Sequence, residues 1–310
     1  MKLGKLSLVA VMALGTSAFA IDNVKVNGDA KLWYQTSEYS GAGAGATTSQ
    51  DFFDNTSNTN ANIKVSVGAM ADLLKNLTAG IKVTALTTLG IENNLIGATS
   101  TAKVGQDGTS HQTATDDTSF DDQAWTEEAY LAYSADKTVV KIGRQRLDTP
   151  LAFSETWNVV DNTFEAAVLI NNNVPDTTLV GAWIGNHNGM GLANVGRGTT
   201  VAMNGEFDTF AAEGTYFAGA INKSIPNTTV QAWYYSVPEI ATAYWLQADA
   251  KLIDMVTVGV QYAGMNTDST SDSLTTAAAN HRDTNMYAIK GAVDVAGVNL
   301  YAAYSSVRSE

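Results

Sequence analysis

The chain has 310 residues, no cysteine and a formal charge of −13, with 45% apolar and only 16% charged residues. The lack of cysteine excludes a disulfide scaffold and thiolate metal sites, and so acidic a chain lacks the basic face that nucleic acid demands. A soluble domain carries about 25% charged residues, so the shortfall points to apolar side chains that face something other than a protein core.

The chain opens MKLGKLSLVAVMALGTSAFA, with Lys2 and Lys5, an apolar run from Leu6 to Leu14 and the small-x-small triplet Ala18-Phe19-Ala20. These are the parts of a secretory signal, and the run is too short for a membrane helix, which takes about 20 apolar residues. Residues 1–20 are therefore expected to be a signal peptide and 21–310 the exported chain. Losing the two lysines of the signal takes the formal charge from −13 to −15.

From Ile21 onward the pattern has period two, with no long 3.6-residue repeat. VKVNGDAKLWYQ sets Val24, Val26, Ala30, Leu32 and Tyr34 against Lys25, Asn27, Asp29, Lys31 and Gln35. NIKVSVGAM sets Ile63, Val65 and Val67 against Lys64 and Ser66. LTAGIKVTAL, EEAYLAYS, TVVKIG, TFEAAVLIN, TTLVGAWIGN, TFAAEGTYFAGAI, TTVQAWYYSV, TAYWLQADAKL, MVTVGVQYAG, NMYAIKGAV and VNLYAAYSSV continue the series. That makes about thirteen strands of roughly ten residues, the length a tilted membrane strand needs.

The connectors alternate in length. Long polar stretches (37–59, 90–123, 147–162, 187–208, 266–284) take turns with ADLLKN, ADK, NVPD, KSIPN, ID and AG; PEI is the one of moderate length. Long loops outside and tight turns in the periplasm mark an outer-membrane barrel. The fold class expected is all-β, a transmembrane antiparallel β-barrel in the outer membrane of a Gram-negative bacterium. A soluble sandwich or β-helix also breaks short strands with turns, but strand length, loop asymmetry and lone charges on polar strand faces weigh against it. Trp33, Tyr34, Trp125, Trp183, Tyr234, Tyr235, Tyr244, Tyr262, Tyr287 and Tyr304 are candidates for interfacial girdles.

Lys25, Lys31, Lys64, Lys82, Lys141, Lys251 and Lys290 fall on the polar faces. Those faces point into the lumen, because a charge facing lipid costs about 2 to 4 kcal/mol at mid-membrane. Asp29, Glu128, Asp249 and Asp294 are the clearest lumen acids, while Asp107, Asp116, Asp117, Asp121 and Asp122 lie in a loop. The wall thus reads as net positive and the mouth as negative. Taken singly, each lysine is explained by plain solvation in a wide pore and only their sum carries weight; the alternative is that the acidic loops dominate and make the pore weakly cation-selective.

One strand ends differently from the rest. KIGRQRLDTPLAF (141–153) delivers two arginines and a proline as the chain leaves the apolar band. With its surroundings, EEAYLAYSADKTVVKIGRQRLDTPLAFSETWNVVDNTFEA, it resembles the OprD-type outer-membrane porin family, in its epsilonproteobacterial branch. The resemblance rests on Gly143, Arg144, Gln145, Arg146, Thr149, Pro150 and Asn162-Thr163-Phe164-Glu165, and is strongest over about residues 124 to 190. It implies an inward-folding loop whose constriction is lined by Arg144, Gln145, Arg146 and Pro150, and a basic ladder guiding small anionic or carboxylate solutes. It also implies about eighteen strands in the whole barrel, so that this chain reads as C-terminally incomplete. Trp157 to Asp161 depart from the family's Arg-Leu and Pro at that place, which leaves one constriction arginine without a counterpart. Without the resemblance, both arginines equally suit snorkelling at the rim or binding lipopolysaccharide phosphates.

No enzyme is expected. His111, His187 and His281 lie in separate loops without metal-ligand spacing, and no nucleophile elbow appears. GMGLANVG (189–196) misses the third glycine of a dinucleotide loop, and GAGAGATT (41–48) is low-complexity loop. The expectations are therefore no cofactor, no metal, no catalytic residue and no nucleic acid. The partners are outer-membrane lipid, lipopolysaccharide and small polar solutes, in a monomer or a loose trimer. The function expected is passive diffusion of small hydrophilic solutes through a porin that favours anions or carboxylates. The alternative is a barrel that serves mainly as a surface interaction or adhesion protein through its long loops.

Overall fold

The structure, a computed structural model, describes residues 21–36, 38, 52–53, 59–87, 123–189, 205, 207–209, 211, 213–268 and 283–309. Residues 1–20, most of the long connectors and the acidic positions from Asp107 to Asp122 lie outside the described residues. The strands are β1 (Asp22–Thr36), β2 (Thr59–Leu74), β3 (Leu77–Thr87), β4 (Gln123–Ala135), β5 (Thr138–Gln145), β6 (Phe164–Asn171), β7 (Thr177–His187), β8 (Asp208–Thr209), β9 (Thr215–Asn222), β10 (Thr228–Val237), β11 (Ala241–Ile253), β12 (Val256–Thr267), β13 (Thr284–Val295) and β14 (Val298–Ser309). All but β8 follow one another in sequence order through a single antiparallel sheet, and β8 pairs only with the end of β7. The all-β reading and the alternating strands hold, with this two-residue strand as the addition.

Turn chemistry explains the tight connections. A two-residue hairpin needs left-handed backbone to match the twist of its strands. Asn76 (φ 68°), Asp136 (φ 48°), Ala296 (φ 53°) and Gly297 (φ 80°) supply it between β2 and β3, β4 and β5, and β13 and β14.

The burial pattern is inside out. Lys64, Ser66, Lys82 and Thr84 are buried, while their neighbours Val65, Val67, Ile81 and Val83 are exposed. A water-soluble sheet would reverse this arrangement. The outward row of valine, isoleucine and leucine is the kind of apolar band that an outer-membrane barrel turns to lipid.

What buries the other face is the connector from Leu147 to Thr163. Leu147 and Ala152 pack with Phe164, Ala166 and Val168 of β6, Ile184 of β7, Phe217 of β9, and Trp233 and Tyr235 of β10. Val159 and Val160 pack with Leu86 and Trp125. Between Glu165 and Asn171, strand β6 is apolar on both faces for this reason: Ala167 and Leu169 face outward, and Ala166 and Val168 meet the connector. The same packing corrects two of the girdle candidates. Trp125 and Tyr235 are 7% and 4% exposed and lie inward beneath the connector, whereas Trp33, Tyr34, Trp183, Tyr234, Tyr262, Tyr287 and Tyr304 stay exposed. Tyr244 is half-buried on the outer side, its ring 5.8 Å from that of Tyr262.

Candidate functional site

The connector begins as a small hairpin. Asp148 bridges Phe153, Ser154 N donates to Leu147 O at 2.8 Å, and Thr149 N donates to Ala152 O at 3.1 Å. Pro150 takes the second place of the turn Thr149–Ala152, where its fixed φ is already correct. The hairpin tip docks on β10, where Tyr235 Oη donates to Thr149 Oγ1 at 3.1 Å and accepts from Leu151 N at 3.4 Å. The far end of the connector docks on β1. There Lys31 Nζ donates to Thr156 O (3.1 Å), Asn158 O (3.0 Å) and Asp161 Oδ1 (2.8 Å). The connector is thus strung across the inner face from β10 to β1.

Under its second half lies a compact set of charges. Between β3 and β4 the register passes from Lys82 opposite Glu128 to Val83 opposite Thr126, which leaves Glu127 as an extra residue. Such a bulge turns a side chain away from the face that strict alternation assigns it. Here it turns Glu127 fully inward, at 0% exposure. Glu127 receives Arg146 at 2.9 Å, Lys82 at 3.0 Å and the Thr84 hydroxyl. Asp29 receives Lys82 at 3.0 Å. Lys64, also 0% exposed, makes no side-chain hydrogen bond and is held by charge alone, 3.3 Å from Asp29 and 3.6 Å from Glu127. Arg146 further pairs with Asp161 at 2.5 Å and Glu128 at 3.7 Å. Lys31, Lys64, Lys82 and Arg146 therefore face Asp29, Glu127, Glu128 and Asp161 in balance. Buried charges persist only when paired in this way.

The other expected site residues are spread more widely. Arg144 donates to Glu165 at 2.7 Å and to Thr126 O at 2.6 Å, and its guanidinium lies 3.5 Å from the centre of the Phe207 ring. Gln145 is buried and donates to Ala166 O at 3.0 Å, which ties β5 to β6. Lys141 Nζ sits 3.7 Å above the Tyr130 ring, a cation–π contact. Lys25 is exposed near the start of β1. Lys251 pairs with Asp254 at 3.0 Å, and Lys290 with Asp249 at 2.7 Å. Three of the seven lysines thus gather with Arg146, and the rest do not.

The acids Glu127, Asp161 and Glu165 complete this arrangement. The adjacent pair Glu127-Glu128 inside an alternating strand was the available signal for a bulge. Asp161 had none, because its partners Lys31 and Arg146 are brought to it only by the folded connector.

The chain matches the family described as Campylobacter major outer membrane protein over residues 1–308. Among curated proteins there is no match. Solved structures similar to it include Pseudomonas aeruginosa OccK8 (OprE), at 12% identity and a TM-score of 0.66, covering 94% of this chain and 70% of that one. They also include the P. aeruginosa outer membrane protein OpdK, at 10% identity and a TM-score of 0.62, covering 93% and 67%. A third is P. aeruginosa OccK9 (OpdG), at 13% identity and a TM-score of 0.65, covering 92% and 67%. At these identities the likeness is one of fold.

Proposed function

The chain belongs to the Campylobacter major outer membrane protein family and is an outer-membrane β-barrel of porin type, and from that premise we propose that it passes small hydrophilic solutes by passive diffusion past a constriction built by residues 147–163. The observation that carries this reading is the connector itself, held at Tyr235 of β10 and at Lys31 of β1. A loop fixed at both ends narrows a water-filled lumen without closing it, and its charges then act on solutes through a focused field.

The finer part of the proposal is a preference for small anions or carboxylates, with Arg144, Gln145, Arg146 and Pro150 at the constriction. The inner-face lysines and Arg146 support it. Its size is set by the pairing: Lys31, Lys64, Lys82, Lys290 and both arginines each have a carboxylate within 4 Å. A paired guanidinium still presents its free edge, and the Arg146 side chain is 36% exposed. The preference expected is therefore slight and centred on Arg146. The surface-interaction alternative rests on long connectors that lie outside the described residues.

The reversal potential in a planar bilayer under a salt gradient tests this, for the wild type and for Arg144→Ala with Arg146→Ala. Anion preference that falls in the double variant supports the constriction role. Unchanged selectivity moves the arginines to the rim, and no conductance in the wild type overturns the porin.

A further inference from the structure

Among the described residues, the connector leaves a stretch of the inner wall uncovered. It packs against β6, β7, β9 and β10 and reaches across to β1, and the last residue the core holds on the next strand is Trp245 of β11. Beyond Trp245, the residues that share its face are Gln247, Asp249 and Lys251, since alternate residues of a strand point the same way. Across the register stand Gln261 opposite Gln247, Gly259 opposite Asp249, and Lys290 opposite Gly259. Two adjoining hollows of about 180 and 370 Å³ open over this surface and share Asp249, Lys290 and Tyr301.

The polar groups there form an ordered array. Trp245 Nε1 donates to Gln247 Oε1 at 3.0 Å, Gln247 Nε2 donates to Asp249 Oδ2 at 2.5 Å, and Asp249 Oδ1 receives Lys290 Nζ at 2.7 Å. Gly259 makes room for the ion pair, because a Cβ there would lie 2.4 Å from Lys290 Cε and 2.6 Å from Asp249 Oδ1. The pair is part open to the lumen, with the Lys290 and Asp249 side chains 46% and 33% exposed.

We propose that this hollow is a solute subsite, resting on the porin reading above, and that it takes small uncharged polyhydroxylated solutes with neighbouring hydroxyls. The array carries no net charge, so it offers a free anion or cation little. It does set a strong acceptor and a strong donor side by side at a hydrogen-bond length, with an amide row beside them. Two adjacent hydroxyls, each able to donate and accept, match such a pair: one donates to the Asp249 carboxylate while the other accepts from the Lys290 ammonium. The free hydrogen-bonding capacity of Lys290 and of the Gln261 amide then receives further hydroxyls. A concave site with a few converging polar groups is the usual form of a small-molecule site.

Single-channel recordings with glucose as the probe test this, with triethylene glycol as a neutral solute of similar size whose hydroxyls are not adjacent. The expected result is a saturable reduction of current by glucose that triethylene glycol does not reproduce. Asp249→Asn, Lys290→Met and Gly259→Ala should each raise the half-saturating glucose concentration by about tenfold, the usual weight of a hydrogen bond to a charged group. Gly259→Ala is informative because it displaces the pair without altering any charge. Leu246→Val, on the outward face, should leave the glucose response as it is. An identical glucose response in wild type and all three variants overturns the subsite, as does equal behaviour of the two probes. A wild type that conducts no current sinks the porin reading instead, so the two failures are distinct.

Discussion

Arg146 Nη2 and Asp161 Oδ2 stand 2.5 Å apart at the two ends of the connector between β5 and β6. Their contact closes the connector into a ring. The second oxygen of Asp161 holds Lys31 of β1 at 2.8 Å, so one carboxylate fastens the ring both to itself and to the wall. The pair also reaches Glu127, which links the connector to the buried charges of β2, β3 and β4.

Asp161→Asn should therefore release the far end of the connector while leaving the hairpin tip on Tyr235. The Asp161 side chain is only 3% exposed, but its partners Lys31 and Arg146 are 35% and 36% exposed, so its loss costs less than the about 3 to 5 kcal/mol of a fully buried pair. The expected outcome is a larger and noisier single-channel conductance than in the wild type. A conductance that stays equal and quiet would mean that the apolar packing of Val159 and Val160 suffices.

Glu127→Gln should destabilise the barrel more than Glu128→Gln. The first leaves fully buried Lys64 with Asp29 as its one carboxylate, at a cost of about 3 to 5 kcal/mol. The second removes an outlying contact at 3.7 Å from Arg146, a pair of the kind worth about 0 to 1 kcal/mol. The temperature at which the folded band is lost on an electrophoretic gel gives the comparison, and equal temperatures would deny Glu127 its role.

Gly143→Ala should reduce the yield of folded protein. Gly143 has φ 122°, and an added Cβ would lie 2.3 Å from the Ala129 carbonyl on β4. Backbone on both strands would have to move, in a conformation that side chains rarely adopt. Refolding into detergent or lipid, scored by the heat-modifiable band, measures the loss.

Val65→Lys and Ser66→Lys, one residue apart, should differ in kind. Val65 faces outward at 48% exposure, and Ser66 faces inward beside Thr84. The outward lysine should cost about 2 to 4 kcal/mol if it lies near mid-membrane, seen in urea titrations in lipid. The inward one instead puts an unpaired cation where Ser66 is only 2% exposed, so its cost should be the same in lipids of any thickness, as read by the same titrations.

Much of this architecture was written in local pattern. Period-two alternation is a property of each strand alone, so Val65 and Val67 against Lys64 and Ser66 placed both faces of β2 before any partner was known. Strand β6 was harder to read. From Ala166 to Ile170 its residues are apolar on both faces, and only the connector lying on Phe164, Ala166 and Val168 explains the inner one. Trp125 and Tyr235 misled for the same reason: an aromatic near a strand end suits an interface and a packed loop equally well, and the sequence carries no mark of which one it meets.

The faces, the strand order and the alternation of long and short connectors are legible in the residues alone, because each follows from neighbours a few positions apart. Which charges meet depends on the fold. Lys31 and Asp161 are 130 residues apart and come together only when the connector folds inward. Glu127 joins them because a bulge, which depends on how β3 and β4 pair, overrides the alternation of its own strand. Alternation is a local constraint on backbone geometry, whereas ion pairing is a long-range consequence of where folded segments end up.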